Sequence, residues 1–392
     1  MILGNSFQNE SVHGMLEVSS SFMRLASGAV GLAIALAAVP ARAESPDQRS
    51  WDPKAAAAYL DSRAAWWMEW PNAQRDHGTF CVSCHTAVPY ALARPALRAA
   101  LSERQASANE SRIWQNVTQR VNSWRDVEPF YPDQTRGIPK SSESRGTESV
   151  MNALILATRD AESGRLSQET RTAFGNMWAL QMRTKELSGS WAWLNFGLAP
   201  WETTTSPYFG ASLAAMAVGT APGGYASAPE AQEGLKLLRE YLRREEERQP
   251  LFNRLVVLWA SSRVPELLAP ERAKAIVKDA LAKQRDDGGW SFSSLGEWKR
   301  LDDSELDRTS DGYATGLVTL ALGQSPASAR DPDVAPRLKR GIEWLRRSQD
   351  PATGRWIASS VNKQREPLSE TGRFMSDAAT ALAVLSLTLA SQ

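Results

Sequence analysis

The order Gln, Gly, Trp recurs at the ends of helical segments in this 392-residue chain, and this repeat constrains the possible fold most strongly. The three copies are Trp178-Ala-Leu-Gln181 leading to Gly189-Ser-Trp191, Leu281-Ala-Lys-Gln284 leading to Gly288-Gly-Trp290, and Gly341-Ile-Glu-Trp344-Leu345 with Gln349 leading to Gly354-Arg-Trp356. A weaker copy runs from Gln74 to Phe80, with Phe in place of Trp. Self-similarity of this kind indicates one structural unit used several times around a shared core.

Each copy predicts an outer helix followed by an inner one. The segments after the turns are rich in small and apolar residues around their whole circumference, as expected for helices buried on most faces; they are 148–157, 207–218, 311–322 and 376–387. The preceding segments, 230–248 and 270–283, carry many Lys, Arg and Glu. No sustained alternation of apolar and polar residues predicts strands. We therefore expect an all-α fold, an α/α toroid built as a closed ring of helical hairpins, in a single domain over 44–392.

The Gln-Gly-Trp pattern resembles the repeat of squalene–hopene cyclases and protein prenyltransferases. The resemblance covers the chain from Trp51 to its end and is strongest from Trp178 onward. It implies that each Gln caps a helix and ties neighbouring hairpins together. A Gln amide can satisfy free backbone groups at a helix end, and an indole offers a large apolar face with one hydrogen-bond donor.

The family's catalytic acid is not matched in this sequence. Class II terpene cyclases protonate their substrate with the middle Asp of an Asp-x-Asp-Asp motif. The corresponding stretch here begins at Asp311 and places Tyr313 where the acid should be. A phenol with a pKa near 10 cannot replace a strongly acidic carboxyl. Cyclisation is therefore not expected, and the zinc of prenyltransferases does not carry over by position either.

Aromatic residues near the inner helices predict a pocket for a small-molecule or lipid-like ligand. The candidate pocket residues are Asp311, Tyr313, Trp290 and Trp193. The alternative is that these aromatic side chains only pack the ring. Both interpretations fit the sequence equally well.

The chain's two cysteines lie in Cys81-Val-Ser-Cys84-His85, the attachment pattern of a c-type haem. Each thiol can form one thioether with the porphyrin, and His85 then becomes the proximal ligand of the iron. We therefore expect one covalent haem c, bound by Cys81, Cys84 and His85 at 81–85. The sixth ligand is open: it is His77 or a methionine, and the candidates are Met68, Met151, Met177, Met182, Met216 and Met375.

Three other interpretations of the cysteine loop remain. A zinc site would use His77, Cys81, Cys84 and His85, which is a suitable set of ligands. A dithiol for disulfide exchange needs a stabilised thiolate. A structural disulfide between Cys81 and Cys84 would give His85 no role.

The N-terminus resembles a secretory signal peptide. Arg24 precedes an apolar run over 25–39, and Ala41-Arg42-Ala43 has the small-x-small form of a cleavage site. We expect a signal peptide over 1–43, with the true start at Met15 or Met23 as an alternative. The run is shorter than the roughly 20 residues of a membrane span, and no stable span is expected in the mature chain.

The sequence thus predicts an exported bacterial protein, periplasmic or extracellular, with haem c on a toroid. Its formal net charge of +1 gives no indication of nucleic-acid binding. The expected function is electron transfer, with a periplasmic redox partner, or oxidation of a small or apolar substrate. The alternatives are a terpene cyclase-like or prenyl-binding protein, and a non-catalytic binding scaffold in which the cysteines form a zinc or disulfide site.

Overall fold

The computed structural model describes residues 50–133, 140–184 and 186–391. Contacts divide the chain into Met1–Ala43 and Glu44–Gln392, and every described residue lies in the second unit. The expected signal peptide over 1–43 and the alternative starts at Met15 and Met23 lie outside the described residues. None of the helices within the described ranges has the length and apolar character needed to cross a bilayer.

Twelve α-helices in the described part of the chain alternate between an outer and an inner layer. The outer helices are α1 (Pro53–Glu69), α3 (Ala108–Asn122), α5 (Gln168–Ala179), α7 (Pro229–Glu245), α9 (Pro270–Ala282) and α11 (Val334–Arg347). The inner helices are α2 (Ala87–Ala100), α4 (Ser141–Ser163), α6 (Ser206–Thr220), α8 (Leu251–Ala260), α10 (Gly312–Gln324) and α12 (Phe374–Leu389).

The inner helices form a closed ring. Each packs on the next, from α2 through α4, α6, α8 and α10 to α12, and α12 packs back on α2. Extended structure in the described ranges is limited to two isolated bridges, Gln74 with Phe80 and Leu198 with Glu202. The predicted all-α toroid of helical hairpins is therefore confirmed.

The difference between the layers follows from the sequence. In α10 every residue from Gly312 to Leu322 is buried, whereas in α11 only Val334, Gly341, Ile342 and Leu345 are. A helix with a narrow apolar stripe packs on one side and leaves its charged side to solvent. The small residues of α6, α10 and α12 let inner helices approach on all sides.

The repeat residues join neighbouring hairpins as the resemblance implies. The indoles of Trp191, Trp290 and Trp356 are fully buried, and each donates to a carbonyl of the preceding outer helix, at 2.7–2.8 Å. The Gln amides reach the next outer helix. Gln181 donates to Gly234, Gln284 to Arg337 and Gln349 to Asp52, at 2.8–2.9 Å. Gln74 differs, because it donates to Met68 at the end of its own helix.

Trp290→Phe tests the contribution of one repeat indole. The change leaves the Ala280 carbonyl without its 2.7 Å donor in a fully buried position, and it opens a small void. We expect a loss of about 2–3 kcal/mol in the free energy of unfolding, measured by chemical denaturation. Trp344→Phe is the control. Trp344 is half-buried and donates to exposed Asp287, so the loss should be below about 1 kcal/mol.

Candidate functional site

The Cys-Val-Ser-Cys-His loop lies between α1 and α2, at the rim of the ring. Trp67 at the end of α1 donates its indole proton to the Cys81 carbonyl at 2.6 Å, and the Cys81 amide donates to the Ala73 carbonyl at 2.8 Å. Ser83 Oγ accepts from the amides of Thr86 and Ala87 at 3.2 and 3.1 Å. Ser83 therefore satisfies free amides at the start of α2. The motif is therefore held by hydrogen bonds where the chain enters α2.

Both cysteines are free thiols. Burial raises the pKa of Cys81 to about 12, and burial raises the pKa of Cys84 well above its usual range. Cys84 Sγ lies 3.6 Å from Met151 Sδ on α4. Thiol–disulfide exchange needs a thiolate, and these surroundings oppose its formation. The structural disulfide expected as an alternative is not formed in this structure.

Aromatic rings surround the His85 imidazole. Phe374, the first residue of α12, stacks on it with centroids 3.8 Å apart and planes 24° apart. Trp67 meets it edge-on at 4.9 Å, and Trp201 lies 5.8 Å away. Burial, with smaller contributions from Arg63 and Arg365, lowers the pKa of His85 to about 3. The imidazole is therefore neutral at physiological pH, the form that binds metals.

A chain of hydrogen bonds connects His85 with a buried carboxylate. His85 Nδ1 lies 2.9 Å from Thr86 Oγ1, and this hydroxyl donates to Asp377 Oδ2 at 2.7 Å. Asp377 Oδ1 accepts from Tyr59 OH at 2.7 Å and from Arg63 Nε at 2.8 Å. Burial raises the pKa of the Asp377 carboxyl, and Arg63, Tyr59 and Thr86 oppose that rise. Sequence reasoning did not identify Thr86 with Asp377 as a functional pair.

The axis of the ring contains an apolar cavity of about 50 Å³. Its lining includes Cys84 from the motif, Trp201 from the loop before α6 and Tyr313 from α10; aliphatic and aromatic residues of α2, α6, α8 and α12 complete it. Trp201 donates its indole proton to Tyr313 OH at 3.2 Å. Cys84 thus lies at the centre of the toroid, beside the position where the resemblance places a catalytic acid.

The four candidate pocket residues Asp311, Tyr313, Trp290 and Trp193 make different contacts. Of these four, Tyr313 alone lines the axial cavity. Trp290 and Trp193 are packing residues whose indoles donate to the carbonyls of Ala280 and Trp201.

Asp311 caps α10. Its carboxylate accepts from the Ala314 amide at 2.9 Å and from the Phe292 amide at 2.5 Å, although burial raises its pKa to about 7. Its carboxylate is thus used in local hydrogen bonds. Burial also raises the pKa of Tyr313, which weakens it further as an acid.

The alternative zinc ligands are not brought together. His77 lies in a 3-10 turn with a largely exposed ring bonded to Asp76 at 2.8 Å. Across the described residues, no three His, Cys, Asp or Glu side chains form a group that could hold a metal ion. Among the candidate sixth ligands, His77 is thus occupied with Asp76, whereas Met151 contacts the motif through Cys84.

A wider cleft opens at the same rim. It has a volume of about 760 Å³ and is lined by the segments around 300–307 and 357–367, including Arg300 and Arg365, and by Gly372 and Ser376 on either side of Phe374. Its acidic lining residues outnumber the two arginines; they are Asp302, Glu305, Asp307 and Glu366. Arg365 in its lining acts electrostatically on His85.

The two thiols and the imidazole of the motif are suitable groups for a covalent haem, whereas the axial cavity is too small for one. Two unbridged thiols and a neutral imidazole with Nδ1 already engaged are the groups that such attachment requires. Pockets for ligands of drug size have roughly 300–1,000 Å³, far above the 50 Å³ of the cavity. A macrocycle on these cysteines therefore requires the rim to open toward the cleft.

No family model and no curated protein matches this chain. Solved structures with a related arrangement include ent-copalyl diphosphate synthase from Streptomyces platensis, with 16% identity and a TM-score of 0.46, covering 79% of this chain and 51% of that one. This chain therefore spans about half the length of that synthase. The type II terpene cyclase MstE from Scytonema, in complex with geranylgeranyl dihydroxybenzoate, has 14% identity and a TM-score of 0.46, covering 86% and 98%.

A third structure with a related arrangement is UGL in complex with dGlcA-Glc-Rha-Glc, with 12% identity and a TM-score of 0.47, covering 86% and 96%. Identities and TM-scores this low carry no activity over to this chain.

Proposed function

We propose that this protein carries one haem c, attached through Cys81 and Cys84 with His85 as a ligand of the iron, and that it acts in redox chemistry at the rim of the toroid. The observation that carries the proposal is the arrangement of the motif. Both thiols are unbridged, and the adjacent imidazole has one ring nitrogen hydrogen-bonded, so its other nitrogen is the one left to bind a metal. Burial raises the pKa of both thiols and lowers the pKa of His85. A zinc site would need further ligands, and no such group of side chains forms among the described residues.

The chain's own residues would hold and shield the group. Haem, when bound, supplies one-electron chemistry, which suits electron transfer or oxidation of a small or apolar substrate. Trp67, Trp201 and Phe374 exclude water from the imidazole. Thr86 orients it. The proposal includes export, because haem attachment of this type takes place outside the bacterial cytoplasm, and it includes a periplasmic redox partner.

Expression with a haem c maturation system tests the proposal. We expect a reduced α-band in the pyridine haemochrome spectrum and a mass increase of one haem that persists after denaturation. The Cys81→Ala/Cys84→Ala variant should lose both signals completely, because the chain has no other cysteine. Val82→Ala, between the two thiols, is the matched control and should retain them. If the wild-type chain stays unmodified while a reference cytochrome is matured in the same system, the proposal is wrong.

A second candidate is binding of an apolar ligand in the ring, as in a terpene cyclase-like or prenyl-binding protein. The axial cavity favours it, because aromatic and aliphatic side chains dominate its lining. At about 50 Å³ the cavity would have to enlarge for an isoprenoid. Co-purifying lipid in an organic extract, found by mass spectrometry in protein without haem, would favour this candidate. Incubation with squalene should give no cyclic product, since Tyr313 cannot protonate an alkene.

A further inference from the structure

We propose that Thr86 and Asp377 are positioning residues that keep the His85 proton on Nδ1, so that Nε2 presents its lone pair to the group bound at the motif. The identity of that group rests on the proposed function; the tautomer does not. Ligating histidines commonly use the other ring nitrogen for a hydrogen bond that fixes tautomer and orientation.

The two hydrogen bonds of the Thr86 hydroxyl fix whether it donates or accepts toward Asp377 and toward His85. A hydroxyl has one proton to donate and lone pairs to accept. Thr86 donates its proton to Asp377 Oδ2 at 2.7 Å. Toward His85 Nδ1, at 2.9 Å, the hydroxyl oxygen is then an acceptor, and the ring nitrogen must be the donor.

Two other side chains donate hydrogen bonds to Asp377, so its carboxylate acts as an acceptor. Arg63 Nε and Tyr59 OH donate to its second oxygen, Oδ1. Arg63 also bonds Glu370, which is half-exposed. An arginine remains charged in proteins, so Asp377 faces a permanent cation, and its carboxylate form accepts all three bonds. The opposite arrangement, with Asp377 protonated and donating to Thr86, would leave Arg63 beside a neutral acid.

The arrangement links the two ends of the described chain. Thr86 is the N-cap of α2, whereas Asp377 lies in the first turn of α12, 291 residues later. Thr86 and Asp377 are buried, and His85 is half-buried. Water therefore competes weakly with these bonds, and a single tautomer is favoured.

Nitrogen NMR of the apoprotein tests the tautomer directly. The chain has three histidines, so selective ¹⁵N labelling of histidine gives few signals, and His77→Gln identifies one of them. We expect the wild type to show a protonated Nδ1 and an unprotonated Nε2 at His85. Thr86→Val removes the hydroxyl and should give a mixture of tautomers, whereas Thr86→Ser should restore the single one.

Thr388→Val is the matched control, because it removes a hydroxyl of α12 that donates to the Val384 and Leu385 carbonyls, and it should leave the His85 tautomer unchanged. In haem-loaded protein, Thr86→Val should raise the midpoint potential, since a ligand that has lost its acceptor is less basic and stabilises ferric iron less. Thr86→Ser should stay close to the wild type.

The inference is wrong if wild-type His85 carries its proton on Nε2, or if folded Thr86→Val, verified by circular dichroism, keeps the single Nδ1-protonated form. These outcomes are independent of haem attachment. A protein that shows the expected tautomer but takes up no haem would contradict the proposed function alone.

Discussion

Glu148→Gln lowers the free energy of unfolding by about 3–5 kcal/mol, the expected cost of removing one partner from a buried ion pair. Arg120 on α3 and Glu148 on α4 are both fully buried. Arg120 Nε donates to Glu148 Oε1 at 2.5 Å, and its Nη1 donates to Thr79 Oγ1 at 2.6 Å, two residues before Cys81. The variant leaves the Arg120 cation with the 3.5 Å contact to the partly exposed Asp76 in place of its fully buried partner, and it loosens the base of that loop.

Guanidinium unfolding monitored by tryptophan fluorescence measures the loss. Glu233→Gln is the control, because the Arg183–Glu233 pair is exposed and such pairs contribute about 0–1 kcal/mol. Replacing Arg120 by Met together with Glu148 by Leu should recover part of the loss, since both fully buried charges of the pair are removed. Equal unfolding midpoints for Glu148→Gln and the wild type would show that the buried pair contributes nothing to stability.

Gly354→Ala should also destabilise the ring strongly, by about 3 kcal/mol or more. Gly354 has a φ of 76°, and a Cβ built there would lie 2.3 Å from the backbone carbon and oxygen of Ala55. The left-handed backbone costs an alanine about 1–2 kcal/mol, and the contact with a backbone group that cannot rotate away adds about 1–3 kcal/mol. Because Ala55 belongs to α1, the added methyl pushes apart the first and last hairpins.

Gly164→Ala separates the two causes. Gly164 has a φ of 66°, but a Cβ there would meet no atom within 4 Å. This control should lose only the backbone contribution of about 1–2 kcal/mol. Both variants are compared by chemical denaturation at one pH. If Gly354→Ala and Gly164→Ala lower the free energy of unfolding equally, the contact between Gly354 and Ala55 does not limit how the first and last hairpins pack.

The repeat residues allowed the ring to be predicted because their chemistry is local and recurring. In each copy, Gln followed by a Gly turn and a buried Trp marks the end of an outer helix. The indoles of Trp191, Trp290 and Trp356 all donate to a carbonyl of the preceding outer helix. The small residues of the inner segments indicated burial on all faces, which α10 shows over its first eleven residues.

The site was less predictable because its contacts join distant parts of the chain. Asp377 reaches Thr86 across 291 positions, and Met151 reaches Cys84 across 67. Neither spacing leaves a signal in a single sequence. The sequence leaves two roles open for Trp193 and Trp290, because aromatic residues near helix ends serve packing and ligand binding alike. Only coordinates show that both indoles point at backbone carbonyls.

The position of α12 also has a consequence for biogenesis. Phe374 stacks on His85 and Asp377 anchors Thr86, so the last helix of the chain covers a loop made more than 280 residues earlier. Synthesis delivers the N-terminal hairpins first. Under the proposed function, a maturation enzyme would have a limited interval in which to reach Cys81 and Cys84, before α12 covers them.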